Sequence, residues 1–137
     1  MEPTGRDRRL KPRYSVALRC TLSLPPEDRD ILFPNARLVC RTRDLSESGI
    51  GIVADSIYLG YTCVVDEGRA LELTLALTGG VVVRLRVASA HYLRLDGDEG
   101  EASYLIGLRI DEVEGEDLER FTQHLASLES SGQGGGD

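Results

Sequence analysis

A chain of 137 residues with a net charge of −7 has the usual length of one domain with a single core. It contains no apolar run of the roughly 18 residues that span a bilayer, and its polar N-terminus does not have the pattern of a secretory signal. Cys20, Cys40 and Cys63 are odd in number, widely spaced and free of any Cys-x-x-Cys pair. This argues against a disulfide framework or a zinc site and for a reducing, cytoplasmic setting.

Charge is distributed unevenly. Residues 1–43 hold ten Lys/Arg against five Asp/Glu, whereas residues 96–137 hold two Arg against twelve acids. The acidic part opposes general binding to long nucleic acid, whose affinity comes mainly from phosphate neutralisation. The basic part can still hold a small anion. Fifteen of the sixteen cationic residues are arginine, the side chain suited to bidentate and stacking contacts.

Residues 1–13 lack hydrophobic periodicity and contain Pro3, Gly5 and Pro12, so they read as a flexible arm. Arginines at 6, 8, 9 and 13 can converge on one object if the arm folds over. From Tyr14 to Leu24, apolar Val16, Leu18, Cys20, Leu22 and Leu24 alternate with polar or small residues, which predicts a strand with one buried face. A proline-rich loop from Pro25 follows, in which Ile31, Leu32 and Phe33 are expected to tuck against the core edge. The next strands are predicted at Ala36–Leu45 and Gly49–Ala54. Residues 55–69 read as two short strand pieces separated at Gly60 by a bulge or turn.

Leu71, Leu73, Leu75 and Leu77 alternate cleanly, Thr78-Gly79-Gly80 reads as a hairpin turn requiring positive φ, and a long strand is predicted from Val81 to Leu95. An acidic loop, Asp96 to Glu101, leads to a last strand at Tyr104–Ile110. The period then changes. Leu118, Phe121, Leu125 and Leu128 form one helical stripe in Glu114–Leu128, with acids in the first turn where the helix dipole favours them. The organisation expected is an arm (1–13), one barrel domain with its helix (14–129) and a glycine-rich tail (130–137).

Six or seven short strands followed by one amphipathic helix predict a mainly β fold, a small antiparallel barrel with a C-terminal helix. A two-sheet sandwich has the same alternation, so that alternative stays open.

Catalytic signals are weak, and no enzymatic activity is expected. His91 and His124 stand in no metal-ligand spacing, and the nucleophile-elbow and phosphate-loop motifs are absent. His91 beside Tyr92 reads as a strand residue that could line a ligand edge, and no metal or cofactor is expected.

Arg9 and Arg13 form an Arg-x-x-x-Arg pair before the first strand, and Asp44, Ser46 and Gly49 form Asp-x-Ser-x-x-Gly between the second and third. Alone, the second motif reads as a capped turn, with Asp44 and Ser46 sharing a face if the strand continues through both. Together, and in this order within a barrel pattern, the chain resembles the PilZ domain family, bacterial receptors for the second messenger cyclic di-GMP. The resemblance runs from about Arg8 to the helix.

It implies that Arg9 and Arg13 bond and stack on guanine, while Asp44 accepts the guanine N1–H and N2–H. Ser46 would offer its hydroxyl, and Gly49 would let the backbone approach closely. Arg8, just before the arginine motif, is the residue found in members that bind a stacked ligand dimer, which implies two ligands per chain. The arm would fold over the ligand and alter the binding of an effector protein. The alternatives are a PilZ-fold adaptor that acts through protein contacts alone, and a single-strand-binding barrel. The latter needs stacking aromatics and a basic groove, yet the chain has seven aromatics and is net acidic.

Overall fold

The computed structural model describes residues 12–29 and 31–130. Nine strands precede one helix: β1 (Tyr14–Ser15), β2 (Arg19–Ser23), β3 (Leu38–Leu45), β4 (Gly49–Ala54), β5 (Tyr58–Leu59), β6 (Thr62–Cys63), β7 (Ala70–Ala76), β8 (Val82–Asp96), β9 (Ala102–Glu112) and α1 (Gly115–Ser130). All pairings are antiparallel. The order β3-β2-β7-β8-β9-β4, closed by a β3–β4 pairing, makes a six-stranded barrel. β1 adds to β3 beyond the end of β2. Closure decides between barrel and sandwich. Among the described residues, no helix is long and apolar enough to cross a membrane.

The core follows from strand alternation. Leu22, Leu45, Ile50, Ile52, Leu71, Leu73, Leu75, Leu85 and Ile106 are fully buried and meet inside the barrel. Burying each such side chain is worth about 1.5–3 kcal/mol. Cys20 and Cys40 are cross-strand partners on β2 and β3 with sulfurs 3.3 Å apart, and this contact, together with burial, pushes the Cys20 thiol far up. On α1, Phe121 and Leu128 are buried and Leu125 packs against the core, but Leu118, the first residue of the predicted stripe, remains exposed.

Three local expectations change. The strand predicted at Tyr14–Leu24 breaks into β1 and β2, where the buried Thr42 side chain inserts between the remaining backbone bonds, Val16 N–H to Arg43 O and Thr42 N–H to Leu18 O. Thr42 Oγ1 donates to the Val16 carbonyl at 2.5 Å and accepts from the Leu18 amide at 2.8 Å. Ile31 and Leu32 do not tuck inward but are 93% and 71% exposed. Phe33 packs against Gly60 and the Tyr61 ring, and Gly60 (φ 61°) supplies the turn between β5 and β6. Finally, β3 stops at Leu45, so alternation does not carry through to Ser46. The Thr78–Gly80 turn forms as expected, with φ of 88° and 85° at its two glycines.

Candidate functional site

One row of residues crosses four strands on the outside of the barrel. Asp44 of β3 pairs with Gly51 of β4, Gly51 with Gly107 of β9, and Gly107 with His91 of β8. Three strand spacings separate its ends, roughly 14 Å.

Each end of the row is set by a one-residue irregularity. The β3–β4 register shifts between Thr42 and Asp44, so that Arg43 is the extra residue. The β8–β9 register shifts between Ser89 and His91, so that Ala90 is extra. A one-residue shift moves every later side chain to the other face of the sheet. Without the first shift Asp44 would oppose Ile50 and point inward. Without the second, His91 would oppose Ile106 and do the same.

The middle of the row is glycine, and the end residues lie over it. A Cβ on Gly51 would stand 2.9 Å from Asp44 Oδ1, and a Cβ on Gly107 would collide with the His91 ring. The Gly51 amide donates to Asp44 Oδ1 at 3.2 Å. Arg13, just ahead of β1, donates from Nη2 to the same oxygen at 2.5 Å. Gly49 belongs to the same cradle: its Cβ would meet the Leu108 carbonyl at 3.0 Å and lie 3.7 Å from Arg13 Nη1. The result is a groove of about 660 Å³ floored by glycine backbone, with Asp44 and His91 on its sides and Arg13, Arg43 and Arg109 around it. Arg109 is anchored by Asp111, to whose Oδ1 its Nε donates at 2.8 Å.

Ser46 lies elsewhere. It is buried in the β3–β4 turn, where its hydroxyl accepts from the Gly49 and Ser48 amides at 3.0 and 3.3 Å and donates to the Gly49 carbonyl at 3.2 Å. Asp44 and Ser46 therefore do not share a face.

Of the residues singled out in the sequence, Arg13, Asp44 and Gly49 meet at the groove, and Ser46 shapes the turn beneath it. Arg8 and Arg9 lie outside the described residues. Sequence reasoning missed Gly51, Gly107, Arg43 and Arg109. Gly107 carried a signal, since a lone glycine within a strand often marks a close approach. The other three had none apart from their neighbours in space.

Chemically, the groove offers cationic groups for an anion, a carboxylate that only accepts, and a glycine backbone over which the Asp44 carboxylate and the His91 ring lie. The Arg13–Asp44 ion pair is half exposed, with side-chain exposures of 50% and 25%, and pairs of this kind contribute about 0–1 kcal/mol. A ligand can displace it at little cost.

The model of the PilZ domain matches residues 7–127, and the chain belongs to the PilZ domain family. Among solved structures, the PilZ domain of YcgR from Escherichia coli, described with c-di-GMP, is similar at a TM-score of 0.63 and 16% identity, covering 91% of this chain and 94% of that one. K. pneumonia MrkH in its apo state gives 0.68 and 16%, covering 90% of this chain and 51% of its own. The Bacillus subtilis inhibitor of motility (MotI/DgrA) gives 0.60 and 15%, with 96% and 57% covered. The chain thus spans nearly all of the YcgR domain but only about half of MrkH and MotI. No curated protein sequence matches it.

Proposed function

We propose that this chain is a cyclic di-GMP receptor whose ligand lies in the groove over Gly51 and Gly107. The observation that carries this reading is the meeting of Arg13 and Asp44, 31 residues apart in sequence, at one glycine-floored groove. Membership of the PilZ family supports it, as do the YcgR and MrkH structures described with c-di-GMP.

On ligand entry Asp44 exchanges Arg13 for guanine N1–H and N2–H, donors that an adenine edge does not offer in that arrangement. Arg13, once released, joins Arg9 in bonding guanine O6 and N7 and in stacking on the rings, each good bidentate pair being worth about 1–3 kcal/mol. Arg43 and Arg109 add positive charge near the phosphates. Ser46 acts through the turn it holds, and Gly49 keeps that turn close to Leu108. Arg8 extends the cationic surface so that two stacked ligands are bound per chain.

Arm residues 1–13 fold onto the barrel with the ligand. The new surface then changes the affinity of an effector protein in the cytoplasm, a switch set by the ligand. Outputs differ among similar proteins: MrkH is described as a transcription regulatory factor and MotI as an inhibitor of motility. The barrel accordingly supplies the input, and the partner supplies the output.

Isothermal titration calorimetry with cyclic di-GMP tests this on the wild type and on Arg9→Ala, Arg13→Ala and Asp44→Ala. Wild-type binding with a ratio of two is expected, weakened about 10- to 100-fold in each variant. A ratio of one removes the stacked pair. Absence of wild-type binding returns the chain to an adaptor acting through protein contacts alone. Hydrogen exchange of residues 1–15 is expected to slow at saturating ligand, and unchanged exchange would overturn the switch.

A further inference from the structure

Strand β8 is longer than its neighbour. β7 pairs with it only from Val82 to Ala88, and the turn before β7 adds two backbone hydrogen bonds at Ser89. Among the described residues, nothing pairs with the far edge of residues 90–96, which are held on one side only, by β9. Such an edge presents a row of unpaired amides and carbonyls, and proteins usually blunt it with lysine, proline or cover. This segment has no Lys or Pro, and its one arginine, Arg94, is already held by Asp96 at 2.8 Å. Its apolar side chains are open to solvent, with Tyr92 48%, Leu93 57% and Leu95 38% exposed.

We propose that this edge pairs with the same edge of a second copy of the chain, antiparallel about a two-fold axis at Leu93. Self-complementarity selects both the occupant and the register. Centred on Leu93, the two segments overlap over the whole of residues 90–96. Leu93 then faces Leu93, Leu95 faces His91, and Arg94 faces the Tyr92 ring as a cation over an aromatic face. Asp96 meets Ala90, so no like charges oppose each other. Centring on Arg94 would set two guanidinium groups face to face. Centring on Leu95 would run the overlap into the Gly97–Gly100 turn. An isologous contact of this kind closes on itself as a dimer and does not propagate. The inference rests on the strand edge and not on any ligand.

Sedimentation velocity of the full chain without ligand, at concentrations rising into the millimolar range, is expected to shift the mass from 15.0 kDa toward twice that value. The double variant Leu93→Lys with Leu95→Lys, its fold checked by circular dichroism, is expected to stay monomeric. In a Cys63→Ser background, Leu93→Cys is expected to form an interchain disulfide under mild oxidation, and Val39→Cys, exposed on β3, is not. The cysteine comparison decides the matter if the lysine variant fails to fold. A wild type that stays monomeric throughout overturns the proposal. So does a folded lysine variant that dimerises like wild type, or a Leu93→Cys chain that crosslinks no better than Val39→Cys.

Discussion

The two sides of the barrel follow different rules. Across β2, β7 and the first half of β8 the register is constant: Cys20 faces Leu75, Leu73 faces Leu85, and the alternation is unbroken. Across β3, β4, β9 and β8 the register shifts at Arg43 and at Ala90 beside the groove, and once more at Asp111 opposite Arg86 and Val87, and glycine occupies positions 49, 51 and 107. Regular pairing fills the inside with leucine and sets polar residues such as Thr21, Glu72, Thr74 and Arg84 outside. The two shifts beside the groove keep the inside filled by Ile50, Ile52, Ile106 and Leu108 while bringing Asp44 and His91 to the outer face. The core and the groove are thus built by one sheet: both sides fill the core, and the groove, the proposed ligand site, belongs to the irregular side.

If that division holds, Leu73→Ala should lower stability and leave recognition alone. A fully buried leucine truncated to alanine costs about 2–5 kcal/mol, measurable by urea denaturation. Affinity for cyclic di-GMP, measured where the variant is folded, should match wild type. A parallel fall in affinity would mean the two sides are not separable. Thr42→Val lies at the junction and should affect both. It leaves the Val16 carbonyl and the Leu18 amide without their partner, at about 1–3 kcal/mol. It also loosens the short strand that follows Arg13, so calorimetry should show weaker ligand binding as well. Gly107→Ala should do the reverse of Leu73→Ala. The atoms nearest the new Cβ belong to the exposed His91 ring, a side-chain end that can turn aside, so the melting temperature should barely move while affinity falls about tenfold, or 1.4 kcal/mol.

The regular side was legible in the sequence and the irregular side was not, for a physical reason. Leu71, Leu73 and Leu75 alternate because one face of a strand is buried, a constraint local enough to read directly. The register shifts at Arg43 and Ala90 leave no such trace, since an extra residue is defined only by the strand it faces. Asp-x-Ser-x-x-Gly was readable as a turn because Ser46 bonds within four residues of itself. That Asp44 points away from Ser46 depends on the shift at Arg43. The Arg13–Asp44 contact required the family resemblance, as no local pattern joins residues 31 apart. Ile31 and Leu32 misled because apolar character alone does not tell a core edge from an exposed loop.

The smallest expected effect tests the regular side from its cover. His124 of α1 lies with Arg120 and Gln123 against Leu77 and Val81, at the hairpin joining β7 to β8. Its Nδ1 is buried and finds no partner, and burial lowers its pKa from the ordinary 6.5. The folded chain therefore binds this proton less readily than the unfolded chain. His124 contributes stability that is present above about pH 6.5, declines as pH falls through that value, and levels off once pH is below the folded-state pKa. In denaturation profiles between pH 7.5 and 5, His124→Gln should flatten this part of the curve without changing ligand affinity at pH 7.5, because His124 lies at the β7–β8 hairpin and does not line the groove. A variant whose pH profile overlays wild type would show that the imidazole is solvated, and that α1 packs less tightly on the hairpin than the buried Nδ1 requires.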